Sequence, residues 1–154
     1  MYFFLRKGHR ATWSPEKWTF TGAVFVDGEL VGMQDLEATQ FAAVRSVETG
    51  SWLGQAHQGR GLGREMREAV LHLAFEGLGA REALSGAFDD NVASLATSRA
   101  VGYEENGEAR APRGDDAGRT IRFRLSRERW EQRRRDDIEI VGLEDCLDLF
   151  VGPR

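Results

Sequence analysis

Trp52-Leu53-Gly54-Gln55-Ala56-His57-Gln58-Gly59-Arg60-Gly61-Leu62-Gly63-Arg64-Glu65-Met66 reads as an apolar strand end, a glycine-rich turn and the opening of an amphipathic helix. Backbone N–H groups converge in such a turn. The helix N-terminus adds unpaired donors and a partial positive charge, so an anion is favoured there. Arg60 and Arg64 bring side-chain charge to the same place. The alternative is a tight turn that needs glycine only for its backbone angles. Alternate glycines at Gly59, Gly61 and Gly63, flanked by two arginines, favour the phosphate reading. A dinucleotide fingerprint would need another glycine three residues on, where Arg64 and Met66 stand. An ATP-type loop would need Gly-Lys-Ser/Thr, and the only lysines are Lys7 and Lys17.

Upstream of the turn, Trp18 to Val26 alternates and is rich in aromatic and β-branched residues, Asp27-Gly28 follows, and Glu29 to Leu36 is a second apolar run. Asp-Gly between two such runs predicts a hairpin. Val44 to Leu53 reads as a third strand. Downstream, Leu62, Met66, Ala69, Val70 and Leu73 fall on one face of a helix spanning Gly61 to Gly77. Glu82 to Phe88 reads as a buried strand. Asp89-Asp90-Asn91 then offers a cap for a helix ending at Gly102. Tyr103–Arg110 and Thr120–Ser126 complete the strands, separated by a turn-rich Pro112–Asp116 linker. A short polar helix and a Leu143–Phe150 segment follow. The order is β-β-β-α-β-α-β-β.

The 154 residues fit one domain with one substantial core. No apolar run reaches membrane-span length, and the start lacks the pattern of a signal peptide. With Cys146 alone, and His9, His57 and His72 in no ligand spacing, neither a disulfide framework nor a metal site is expected, and a cytoplasmic protein is the default. The net charge of −4 argues against nucleic acid. Ten arginines against four acids lie between Arg110 and Arg135, followed by six acids and one arginine from Asp136 to Arg154. Such opposed blocks suit a paired surface or a subunit contact.

Gln58-x-x-Gly61-x-Gly63 resembles the pyrophosphate-binding signature of the GNAT superfamily of acyl-CoA N-acyltransferases. The element order is similar to the core of that fold from its second strand onward. Thr49–Gly54, Gly63-x-Glu65-Met66-Arg67, Asp90-Asn91-x-x-Ser94, Ser98-Arg99 and Gly102-Tyr103 resemble its RimJ/RimL-like branch, including a mycobacterial member described as a succinyltransferase. The resemblance implies an α/β fold with a mixed, mostly antiparallel central sheet flanked by helices. It also implies a V-shaped splay after the third strand read above. Residues 1–154 would form a single domain, with 136–154 as a C-terminal extension. Family members begin with a strand and helices. Met1 to Trp13 reads as only the remnant of an N-terminal helix, which would leave Thr19–Val26 as an uncovered sheet edge.

Amine acylation by a thioester needs a neutral amine, donors for the oxyanion and an acid for the leaving thiolate. The resemblance implies that pantetheine bonds the free strand edge from Ser51 through Trp52 and Leu53 to Gly54, with an N–H near Leu53 facing the thioester oxygen. His57, Gln58, Gly59, Arg60, Gly61, Leu62, Gly63 and Arg64 would form the phosphate turn, with His57 as a phosphate or backbone contact. Asn91 is placed to bind the pantetheine amide. Ser94, three residues on and on the same helix face, is placed to act as the acid. Both also suit a plain helix cap. Tyr103 is the alternative acid or a core tyrosine, Glu48 the base or a surface glutamate, and Trp52 a wall of the acyl pocket or core filler. His72 and Arg133-Arg134-Arg135 read as surface.

The expected function is transfer of an acetyl or succinyl group from acetyl-CoA or succinyl-CoA to an amine by direct attack in a ternary complex. The acceptor would be a protein N-terminus, a lysine or a small amine, and the enzyme a homodimer that uses no metal. The shortened start leaves a second reading open, a non-catalytic acyl-CoA-binding or subunit-interaction module. An RNA-associated protein is the third.

Overall fold

The computed structural model describes residues 2–5 and 13–152. Seven strands form one mixed sheet in the order β1-β2-β3-β4-β5-β7-β6. The hairpin of β2 (Lys17–Val26) and β3 (Glu29–Thr39) turns at Asp27 and Gly28, both with positive φ. That is the mirror-image turn whose twist matches the flanking strands. After a single helical turn, α1 (Phe41–Val44), strand β4 (Ser46–Leu53) pairs antiparallel with β3. Val44, read as strand, therefore ends a helix. The left-handed residues Gln40 and Arg45 bracket that turn and re-aim the chain.

The N-terminus corrects the sequence reading. Tyr2–Leu5 is a strand, β1, paired antiparallel with Gly22–Phe25 of β2, where a helix remnant was expected. Its aromatic residues suit a strand, and β2 offers it an unpaired ladder. Gly22–Phe25, within the segment Thr19–Val26 expected to be an uncovered edge, are thus interior to the sheet. Residues 6–12, which the same expectation covered, lie outside the described residues.

Helix α2 (Leu62–His72) buries Met66, Arg67, Val70 and Leu71, then loosens into a π-helical turn, Leu73–Gly77, that buries Ala74 and Phe75. Strand β5 (Glu82–Phe88) returns parallel to β4, and α3 (Val92–Ala100) leads to the antiparallel pair β6 (Glu104–Arg113) and β7 (Asp116–Ser126). The Pro112–Asp116 stretch, read as a linker, is mostly strand, because β6 lies at the edge of the sheet. There Pro112 has no outer neighbour to which it must donate an N–H.

The core sits beneath the sheet around Trp18, Leu36, Phe41, Val47, Phe75, Phe123 and Leu125. Behind α4 (Arg127–Glu131), the chain returns through α5 (Leu147–Val151) to the start of β2. Trp18 Nε1 donates to Phe150 O at 2.9 Å and Trp13 Nε1 to Leu149 O at 2.8 Å. The Phe150 ring stands edge-on to both indoles. A smaller cluster of Val24, Val31 and Met66, with Leu53 against it, underlies the glycine turn. Among the described residues no helix is long and apolar enough to cross a membrane.

Candidate active site

Strands β4 and β5 pair only at Ser46–Glu82, Val47–Ala83 and Glu48–Leu84. Beyond that vertex β4 continues to Leu53 and β5 to Phe88, now apart. A V-shaped cleft opens there, and the edge of β4 from Thr49 to Leu53 is unpaired on the β5 side. The other edge of β4 stays bonded to β3 as far as Leu53, so the free edge is held rigid.

The glycine turn stands at the mouth of the cleft. Gln55–His57 forms a short 3₁₀ turn, and Gln58 Nε2 donates to Leu53 O at 3.1 Å, fastening the turn to the strand end. Gly59 and Gly61 have φ of +73° and +82°, a region that disfavours a side chain. Gly61 caps α2, and among the described residues the N–H groups of Gly59 to Gly63 make no backbone bond. A Cβ on Gly63 would lie 3.9 Å from both Leu53 Cδ2 and Thr97 Oγ1. At this position α2, β4 and α3 converge.

Charge around this helix start is arranged differently from the sequence expectation. Arg64 folds back along α2 to Glu68 (Nε–Oε1 2.8 Å) rather than across the turn. Arg60 and Arg64 instead line a hollow of about 350 Å³ together with Gly61, Arg133 and Arg135 and the carboxylates of Glu65 and Glu68. Of the arginine run read as surface, Arg133 and Arg135 thus lie beside the helix start, Arg135 paired with Glu68 and Asp137. His57 sits 3.6 Å from Glu29 Oε1, with Nδ1 buried and unpartnered.

A polar network fills the vertex. Thr49 Oγ1 donates to Leu84 O at 3.3 Å. It lies 2.9 Å from Tyr103 Oη, so the phenol donates to the threonine. Tyr103 is buried and packed edge-on to Phe123. Burial pushes its pKa above the usual tyrosine value, and the nearby Arg67 offsets only part of that rise. Ser85 Oγ donates across the strands to Thr49 O at 3.3 Å. Arg67, 2% exposed, reaches in from α2: Nη1 donates to Ser85 Oγ at 3.1 Å and Nη2 to Ser51 Oγ at 3.0 Å.

Glu48 lies at the vertex on the opposite, exposed face, directly across from Glu37 of β3. Trp52 is on that face too and is 63% exposed, so it is not core filler. Asn91 is the N-cap of α3, its Oδ1 accepting from Ser94 N at 3.1 Å. Ser94 is half-buried in the first turn of that helix. The structure therefore brings Ser51, Thr49, Tyr103 and the vertex together, with Glu48 behind them. Arg67, Thr49 and Ser85 carry the interior polar chemistry, and the sequence reading assigned none of them. The available signal was an arginine at position 67, between Met66 and Val70 on the inward face of α2.

Residues 4–104 match the Acetyltransferase (GNAT) domain family. An enzyme named only as a probable acetyltransferase is similar over 73% of this chain and 64% of its own, at 23% identity and a TM-score of 0.67. RimJ of Mycobacterium smegmatis, solved with CoA-disulfide, aligns over 71% of this chain and 54% of its own, at 21% identity and a TM-score of 0.67. Spermidine N-acetyltransferase SpeG of Vibrio cholerae, as a chimera with its human counterpart, aligns over 73% and 69%, at 17% identity and a TM-score of 0.66. The chain thus spans under two thirds of the length of the first two. At these identities the likeness shows the fold, and the domain match extends from β1 to the start of β6. Together with the splayed strands and the glycine turn, that match makes the chain a member of the GNAT acetyltransferase family.

Proposed function

We propose that this chain is an N-acyltransferase that moves an acetyl or succinyl group from acyl-CoA to an amine by direct attack in a ternary complex. The observation that carries the proposal is the opening of β4 from β5 beyond Glu48 and Leu84, leading to a glycine turn with free N–H groups. Pantetheine bonds the free edge of β4 from Ser51 to Leu53, ending at Gly54, whose own N–H and O are held by Val31 and His57. The N–H near Leu53 faces the thioester oxygen. Pyrophosphate rests on Gly59–Gly63 with Arg60 and Arg64. Asn91, whose oxygen is committed to the cap, offers its amide N–H to the pantetheine.

The amine nitrogen attacks the thioester carbon, the C–S bond breaks, and one proton passes from nitrogen to the leaving sulfur. Glu48 takes the amine proton, and its neighbour Glu37 adds negative charge that draws a cationic amine to that face. Ser94 supplies the thiolate proton, with Tyr103 the alternative. Direct attack agrees with the thiol inventory. Cys146 is the only cysteine, and burial together with Asp145 and Glu144 pushes its thiol pKa up. It is therefore poorly suited to carry an acyl group. The acceptor is a protein N-terminus, a lysine or a small amine, bound on the face of Glu48 and Trp52, where a second subunit of a homodimer would complete the groove.

Thiol release from acetyl-CoA and succinyl-CoA, measured over an amine panel with both substrates varied, tests this reading. Intersecting initial-velocity lines are expected. Parallel lines would refute direct attack, and tight CoA binding without thiol release would make the chain a binding module instead.

A further inference from the structure

Among the described residues Arg67 is a buried cation without an acid. Its guanidinium lies at the inner floor of the cleft, spanning from Ser51 on β4 to Ser85 on β5. Both partners are neutral hydroxyls, and the third polar neighbour, Tyr103, has its ring centre 6.0 Å from the guanidinium carbon and holds its proton. Its Nε is buried and makes no hydrogen bond. Every other ion pair among the described residues joins an arginine or histidine to a carboxylate, and Arg67 is in none of them. A charge taken out of water needs a counter-charge, and a planar guanidinium matches a carboxylate best. Among the described residues none supplies one, in a cleft that the proposed reaction fills with an acyl chain.

We infer that Arg67 is a donor-specificity residue that binds the terminal carboxylate of a dicarboxylic acyl group, so that the acyl donor is of the succinyl-CoA class rather than acetyl-CoA. The inference rests on the acyltransferase reading and on the thioester lying near Leu53. Ser51 is two residues from Leu53 along β4, about 6.6 Å toward the vertex. Arg67 is four residues from Gly63 along α2, about 6 Å in the same direction. Three C–C bonds of about 1.5 Å carry the carboxylate carbon of an extended succinyl group about 4 Å past the thioester carbon. A charge-assisted hydrogen bond of about 2.8 Å spans the rest. An acetyl methyl stops far short.

The test compares succinyl-CoA, acetyl-CoA and succinamoyl-CoA, the neutral isostere with an amide in place of the carboxylate, in calorimetric binding and in turnover with an amine. The wild-type protein is expected to prefer succinyl-CoA over both by roughly 10- to 100-fold, the worth of a hydrogen bond to a charged group. Arg67→Gln is expected to erase that preference. Equal affinity and equal kcat/KM of the wild type for all three donors would overturn the inference, whether or not the variant folds. So would an Arg67→Gln protein, intact by circular dichroism, that keeps the succinyl preference. If no amine is acylated by any donor, the transferase reading fails, while the calorimetric order of the three donors still decides the role of Arg67.

Discussion

Replacing Tyr103 by Phe removes one hydroxyl from the vertex and leaves the ring, with its edge-on contact to Phe123, in place. The lost bond is the 2.9 Å donation to Thr49, which keeps its own donation to Leu84 O. No buried group is orphaned, so the cost at neutral pH is about 1 kcal/mol, a melting point lower by about 2–4 °C for a chain of this size. At alkaline pH the difference shrinks. The folded protein holds the phenol proton more tightly than the unfolded chain does, because burial disfavours the phenolate. That contribution is complete below the unfolded pKa of about 10 and is lost as pH rises toward the higher folded value. The wild type loses that contribution and Tyr103→Phe does not, so the two stability curves converge as pH rises above about 10. Urea titrations at half-unit steps from pH 8 to 11 read this directly. Parallel curves across that range would refute the burial of the phenol on which the reasoning stands.

Ser94→Ala leaves the Asn91 cap intact, since the bond is to the backbone N–H of residue 94. Stability should hold within about 0.5 kcal/mol, while kcat falls on the order of 100-fold or more if the hydroxyl is the acid. Unchanged turnover removes it from that role. Glu48→Gln should lose activity most at low pH, where most of the amine is protonated, and a uniform loss across pH argues against a base. Gly61→Val forces a β-branched residue to φ +82° at the start of α2. It should weaken CoA binding at least tenfold by calorimetry, and unaltered affinity would separate the turn from the phosphate. Burial lowers the pKa of His72, so its contribution to stability is present above about 6.5 and lost as pH falls below it. His72→Gln should flatten the urea midpoint between pH 7 and 5, and a slope equal to the wild type's counts against that burial.

The elements that repeat a local pattern were readable from the chain. Asp27-Gly28 announced its hairpin and the apolar spacing from Leu62 announced α2, because turn and helix signals are local. Where a neighbour decided the outcome, the reading missed. Tyr2–Leu5 became a strand because β2 had a free edge, and Pro112 could sit in β6 because β6 had one too. The glycine turn before α2 was legible for the same local reason. Arg67 was not, since an arginine beside an apolar stripe reads as a snorkelling surface residue. Only the splay of two strands 34 residues apart (Ser51 and Ser85) gives its guanidinium a place to go.

The clasp of α5 on Trp18 has a kinetic meaning. Trp18 and Phe150 are 132 residues apart in the chain, so closing that contact carries one of the largest loop entropies in the molecule. On that ground the contact is expected to form late, on the native side of the folding barrier. Weakening Phe150 would leave the refolding rate nearly unchanged and hasten unfolding. The clasp thus works as a latch on the lifetime of the folded state, at the end of the core remote from the glycine turn.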